Sequence, residues 1–224
     1  MNVSMWMTRD PVTVRLDLPV TEAARLMAQR RVRRLLVAEP REGGLHLQGI
    51  VSARDVIHAF PPHVNPFAIE GPDSRLTPTI VSDIMHWDLV TTTPDAPIEE
   101  AAKLMAEKKV GALPVLRGKT LAGIITESDL FRAFVSTFSA DQAGARITFD
   151  ATKGEDIFDL LAKLSKRDRV QVLSFVWSQQ GEMPVCIARV AGAGVDRMLD
   201  ELWESGHPVV NVIRFEGTDK ESGK

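Results

Sequence analysis

Along the chain, apolar and polar positions form two matched runs and then a third run of a different kind. Residues 11–15 alternate apolar and polar side chains and are rich in Val and Thr, as do residues 89–93, which predicts a short strand in each place. Asp17-x-Pro19 and Asp95-x-Pro97 follow as turns that set proline just ahead of a helix, where its fixed φ and missing N–H do no harm. Helices are predicted over 20–31 and 98–109. Each buries one stripe at i, i+3, i+4, i+7 spacing: Val20, Ala23, Ala24 and Met27, or Ile98, Ala101, Ala102 and Met105. Strands at 35–38 and 47–51, or 113–116 and 120–125, come next, and helices at 53–60 and 127–135 close each run. The predicted unit is β-α-β-β-α, about 50 residues long, and it occurs twice.

The duplication is also literal. Residues 7–37 and 85–115 match at a constant offset of 78 with 15 identities in 31 positions, among them Met7/Met85, Asp10/Asp88 and Glu22-Ala23-Ala24/Glu100-Ala101-Ala102. Residues 49–60 then match 123–134 at an offset of 74. A repeat of this kind predicts a pseudo-symmetric module with two equivalent clefts.

Between the copies, residues 61–78 hold five prolines and are predicted to be a connector. The third run begins after a polar linker at 139–144. Strands are predicted at 145–151, 170–177, 184–190 and 208–215. Helical stripes, Ile157, Leu160, Leu161 and Leu164 in one and Val195, Met198, Leu199, Leu202 and Trp203 in the other, predict helices over 154–167 and 195–204. This order, β-α-β-β-α-β, suits a four-stranded antiparallel sheet with both helices on one face. The expected domains are 1–60, 79–138 and 145–216, with a polar tail at 217–224, and the fold class is α+β, a mixed α/β chain.

Composition narrows the possibilities. A lone cysteine, Cys186, cannot form an intramolecular bridge and favours a reducing compartment. No run approaches 18 apolar residues and no signal-type leader is evident, so a cytoplasmic protein is expected. Net charge is −3, which gives no global field toward nucleic acid or anionic membrane. Residues 1–60 nevertheless carry nine Arg against six Asp/Glu, five of them between Arg25 and Arg34; a solvated helix face and a local anion site both fit this cluster.

The pattern with the most chemistry is Gly49-Ile-Val-Ser52-Ala-Arg54-Asp55, repeated as Gly123-Ile-Ile-Thr126-Glu-Ser128-Asp129. A glycine permits close backbone approach, two aliphatics end a strand, and Ser or Thr sits where a helix wants its N-cap. The Asp three residues on completes a capping box, which by itself explains one such string. Two strings at matched positions of a repeat point further.

With these strings following the strands around Leu35 and Leu113-Pro114-Val115, the paired units resemble CBS domains. The chain over residues 1–215 is similar to the acetoin-utilisation-B-like (AcuB-type) group, in which a CBS pair precedes an ACT-like domain. The resemblance implies a non-catalytic regulatory protein that binds adenosine-containing nucleotides, AMP, ADP or ATP, or S-adenosylmethionine, as regulatory ligands rather than cofactors. It implies ribose recognition by Asp55 and Asp129, since a carboxylate accepts the two hydrogen bonds that a cis-diol offers. Phosphate contacts are implied for Ser52, Thr126, Arg33, Arg34 and Arg54, and an adenine pocket for Thr13, Val14, Ile50, Thr91, Thr92 and Ile124. The cations stand in the first copy alone, so that half is expected to prefer a phosphorylated ligand.

In the third run the ACT-like resemblance implies either dimerisation or an amino-acid effector at the turn holding Asp150 and Gly154. Apolar residues on the closing helices, Val56, Ile57, Phe60, Leu130, Phe131 and Phe134, suit a homodimer interface and equally suit internal packing. Scattered histidines give no metal-ligand spacing, and no nucleophile motif, P-loop or dinucleotide fingerprint occurs. A dimerising scaffold without nucleotide and a weak nucleic-acid binder are the alternative readings.

Overall fold

The computed structural model describes residues 1–68, 79–138, 143–152, 156–179, 184–204 and 209–216. The chain divides into two compact units, Met1–Ala133 and Phe134–Lys224.

In the first unit, the first repeat runs through β1 (Thr13–Val14), α1 (Val20–Arg30), β2 (Arg34–Arg41), β3 (Gly44–Ser52) and α2 (Ala53–His58). The second opens with a short helix, α3 (Val81–Ile84), and continues through α4 (Ile98–Lys108), β4 (Ala112–Arg117), β5 (Thr120–Thr126) and α5 (Glu127–Phe138). Helix α1 ends at Arg31 and α4 at Lys109, both left-handed at φ 53° and 54°, and the amide of each returns to a carbonyl of the last turn. Strand β2 lies between β1, which it pairs in parallel, and β3, which it pairs antiparallel.

The strand predicted at 89–93 is a correction. Among the described residues it is reduced to one parallel bridge, Thr92 to Val115. The cause lies in its partner strand. In the first repeat the Leu36 amide donates to the Val12 carbonyl at 3.1 Å. The equivalent of Leu36 is Pro114, which has no N–H to donate.

The repeats do not pack as separate halves. A 3-10 turn at Val3–Met5 begins the chain, and its amides donate to the other repeat: Val3 to the Ala96 carbonyl at 2.9 Å and Ser4 to that of Pro94 at 2.8 Å. Helix α3 returns the exchange, with Val81 donating to Leu18 at 2.8 Å and Ser82 to Leu16 at 3.0 Å. Val3 accordingly lies in the core of Ile98, Leu113, Val115 and Ile125, while Val81 lies in that of Val20, Leu35, Val37 and Val51. The residues that follow pair across in the same way. Thr8 and Ile124 exchange two backbone hydrogen bonds of 2.9 Å, and His86 and Ile50 exchange two of 2.9 and 3.1 Å.

Gly49 and Gly123 make this pairing possible. A Cβ at Gly49 would lie 2.5 Å from Met85 Sδ and 3.0 Å from the His86 carbonyl oxygen, and one at Gly123 would overlap the Thr8 carbonyl. A smaller core of Leu36, Ala112 and Ile124, flanked by Leu47, Ile50 and Leu121, joins the two repeats.

The apolar residues of the closing helices divide between the two expected uses. Val56 and Phe60 are buried in the first core and Leu130 packs on the second, so of the expected stripe Ile57, Phe131 and Phe134 are exposed. Within α2, Val56 turns into the core of its own repeat while Ile57, the next residue, faces solvent.

In the second unit the order is β6 (Gly144–Asp150), α6 (Asp156–Asp168), β7 (Gln171–Ser178), β8 (Val185–Ala191), α7 (Val195–Glu204) and β9 (Val209–Phe215). The sheet order β7-β8-β6-β9, antiparallel throughout, is a split β-α-β arrangement. Its core alternates along β6 and β8, with Ala145, Ile147, Phe149, Cys186, Ala188 and Val190 meeting Leu161, Met198 and Leu202 of the helices.

Candidate functional site

The crossing of the repeats in the first unit leaves a cleft of about 970 Å³ to which both contribute. From the first repeat come Pro11 and Val12, the segment Arg30–Arg34, Leu36, Ile50 and the string from Ser52 to Asp55; from the second come Leu89 and Val90, the segment from Lys109 to Ala112, Pro114, Ile124 and the string from Thr126 to Asp129. Thr8 and His86 line it as well.

The Ser52–Asp55 capping box is formed in full, and in the second string the Asp129 carboxylate likewise returns to Thr126. Asp55 Oδ2 accepts from the Ser52 amide at 2.7 Å and from Ser52 Oγ at 2.6 Å. Asp129 Oδ2 accepts from the Thr126 amide and Oγ1, each at 2.8 Å. Each carboxylate therefore caps with one oxygen and has the other, Oδ1, for a second partner. At Asp55 that partner is His86 Nε2, 3.2 Å away and contributed by the opposite repeat. At Asp129 it is Arg132 of the same helix. The Asp55 side chain is 16% exposed and the Asp129 side chain 7%, which makes the first the more accessible.

Burial pushes the Asp55 carboxyl up, but the hydrogen bonds from Ser52 and the His86 contact outweigh it and leave the group below the usual carboxylate range. A depressed folded value means that the stabilisation is fully present above the unfolded pKa, about 3.9, and is lost as pH falls through the folded value. Asp55→Asn is therefore expected to be less stable than the parent at pH 7, by about 1 kcal/mol. The difference should shrink steadily below about pH 4, which urea titrations at pH 7 and pH 3 will show. A gap that does not change with pH would contradict the assignment.

Helix α2 offers a phosphate less than its sequence suggested, because two amides at its start are already engaged. Ala53 donates to the Arg33 carbonyl at 2.9 Å and Asp55 to Ser52 Oγ at 3.4 Å. Positive charge in the cleft comes instead from side chains: Arg30, Arg31, Arg33, Arg34, Arg54 and Lys109, set against Asp10, Asp55, Asp88, Glu127 and Asp129.

Of the residues named from the sequence, Asp55, Asp129, Ser52, Thr126, Arg33, Arg34, Arg54, Ile50 and Ile124 line the cleft. Thr13, Val14, Thr91 and Thr92 do not. Val14 is buried in the first core, and the apolar wall is made by Val12 and Val90, earlier in the same segments. Sequence reasoning missed His86, Glu127, Lys109 and the pair Asp10/Asp88. The repeat offset carried a signal for the last two, since it aligns Arg31 with Lys109 and shows Asp10 and Asp88 as identities. Nothing in the sequence signalled His86, which reaches Asp55 through the exchange of segments.

In the second unit, Asp150 Oδ1 accepts from the Thr152 amide at 2.9 Å, which closes a local turn, while Gly154 lies outside the described residues. Cys186 is buried on β8, and burial pushes its thiol up to about 11, the behaviour of a packing residue rather than a nucleophile. Among the described residues no helix is long and apolar enough to cross a membrane.

Comparison with known proteins bears on these features. A family model described as CBS domain matches residues 3–62 and 81–136. The CBS domain-containing protein YhcV of Bacillus subtilis is 31% identical over 142 residues, 63% of this chain and 89% of that protein. A CBS domain-containing protein of Dictyostelium discoideum is 36% identical over 132 residues, 57% of this chain and 87% of that protein. Among solved structures, a Vibrio cholerae protein assigned to acetoin utilization (AcuB) superposes with a TM-score of 0.50 at 29% identity, over 61% of this chain and 91% of its own.

Proposed function

We propose that this chain, which belongs to the CBS-domain family, is a non-catalytic regulatory module that takes an adenosine-containing nucleotide in the cleft between its two repeats. The observation that carries this reading is the Asp55 carboxylate. One of its oxygens is committed to the cap and the other is held by His86, itself a cleft residue, with Arg33, Arg34 and Arg54 lining the same cleft. A ribose diol that displaces His86 would donate to Oδ1, while the guanidinium groups meet the phosphates. Ile50, Ile124, Val12 and Val90 supply apolar walls for a base.

The first repeat's half is the phosphate-preferring one. At the places of Arg33, Arg34 and Arg54 the second repeat has Gly111, Ala112 and Ser128. Five carboxylates in the cleft argue against a nucleic-acid backbone, which needs an uninterrupted basic track.

The second unit has a separate part in this proposal, as an ACT-like element for self-association or for a second small effector. A role in acetoin utilisation rests on the Vibrio cholerae relative alone.

Isothermal titration of nucleotide-stripped protein with AMP, ADP, ATP, adenosine and S-adenosylmethionine tests the assignment. Binding in the micromolar range, tighter for the nucleotides than for adenosine, is expected. Failure of the whole panel to bind would overturn it and leave the Asp residues as helix caps on a scaffold.

A further inference from the structure

The two halves of the cleft share a cation. A Cβ built on Gly111 of the second repeat would overlap Arg34 Nη2 of the first repeat and lie 2.7 Å from Glu127 Oε2. Arg34 thus reaches over into the second half, where its guanidinium and the Glu127 carboxylate converge on the space left by a missing side chain. Burial lowers the Arg34 pKa, and the nearby Glu127 carboxylate partly restores it.

The carboxylate has no counterpart in the other half. By the repeat register the equivalent of Glu127 is Ala53, as that of Arg34 is Ala112. At matched positions, then, one half has an arginine at its strand and an alanine at its helix, and the other has the reverse pattern with an acid. As the first residue of α5, Glu127 also suits a helix N-terminus, an arrangement that requires nothing of Arg34.

We propose that Glu127 is the charge-selectivity residue of the cleft: it excludes phosphate from the second half and competes with phosphate for Arg34, so that one chain accepts one phosphorylated ligand. This inference rests on the cleft being a nucleotide site. A phosphate that enters the first half draws Arg34 away from Gly111 and leaves the Glu127 carboxylate uncompensated, which raises the barrier to a second phosphate. An uncharged ligand meets no such penalty.

The test compares the parent with Glu127→Ala, which reproduces the first repeat's own residue at this place, and with Glu127→Gln, which keeps the shape. Each is titrated with ATP, adenosine and inorganic tripolyphosphate, and melting curves check the fold. The expected result is one ATP per chain for the parent and two for both variants, with tripolyphosphate binding about tenfold tighter in the variants and adenosine affinity unchanged. Two ATP per parent chain, or variants that match the parent in stoichiometry and affinity for both anions, would overturn the proposal while leaving a nucleotide site intact. If tripolyphosphate tightens in the variants but ATP binds no better than the bare anion, the Glu127 device stands and the adenosine reading falls. If neither anion binds parent or variant, the Glu127 device falls, and if adenosine fails to bind as well, the adenosine reading falls with it.

Discussion

Asp55→Ala is expected to weaken nucleotide binding by about 100-fold, whereas Asp129→Ala changes it by less than about threefold. A hydrogen bond to a charged group contributes about 1.5–3 kcal/mol, and each 1.4 kcal/mol is a factor of ten. Loss of the carboxylate that receives the diol therefore accounts for the larger figure. The two substitutions are matched controls because each removes a carboxylate that accepts from the amide and hydroxyl of the residue ahead of its helix: Ser52 loses its partner in one and Thr126 in the other. Each should cost about 1 kcal/mol of stability through the cap. What separates the sites is access. Asp129 is the more buried of the two and is paired with Arg132 on its own helix, while Asp55 meets the exposed ring of His86. Calorimetry on both variants, with urea titration alongside, gives affinity and stability independently. Equal loss of affinity in the two would show that both halves take the ligand.

The largest effect on stability is expected at Gly123. In Gly123→Ala the new methyl overlaps the Thr8 carbonyl oxygen, which is backbone, and Thr8 at that point exchanges both of its hydrogen bonds with Ile124. Overpacking costs about 1–3 kcal/mol, and loosening the two hydrogen bonds adds about 1 kcal/mol each, so a loss of about 3 kcal/mol is predicted. Gly49→Ala should cost less, about 1 kcal/mol, because its nearest neighbour is the Met85 sulfur, the end of a flexible side chain that can move aside. Urea unfolding of the two variants decides it, and the reverse ranking would mean that the crossing strands tolerate displacement.

Periodicity in the sequence located most elements of both units to within a few residues, because apolar stripes and turn residues are local signals. Helix α1 illustrates this: its stripe, its proline and its terminal Arg31 all lie within one short window. The missing strand at 89–93 was not legible, since it depends on whether the partner strand has an amide at one position, and Pro114 stands outside any window centred on Val90. The cleft divides in the same way. Ser52, Asp55, Thr126 and Asp129 are visible because each string is contiguous. His86 beside Asp55, and Glu127 with Arg34 over Gly111, join residues of different repeats and arise from the crossing of the chain. A pattern read along one repeat could not show them.

The exchange of opening turns also constrains the order of events during synthesis. Val3 is fully buried, but the shelter that buries it is made of Ile98, Leu113 and Ile125. Until the ribosome has released those residues, the amino-terminal turn has no place to dock, and the first repeat in turn lacks Val81 for its own core. Each repeat's core thus contains a residue supplied by the other's opening segment. Two fragments produced by a cut between them would each carry the piece that finishes the other, and would be expected to assemble as a pair rather than fold apart.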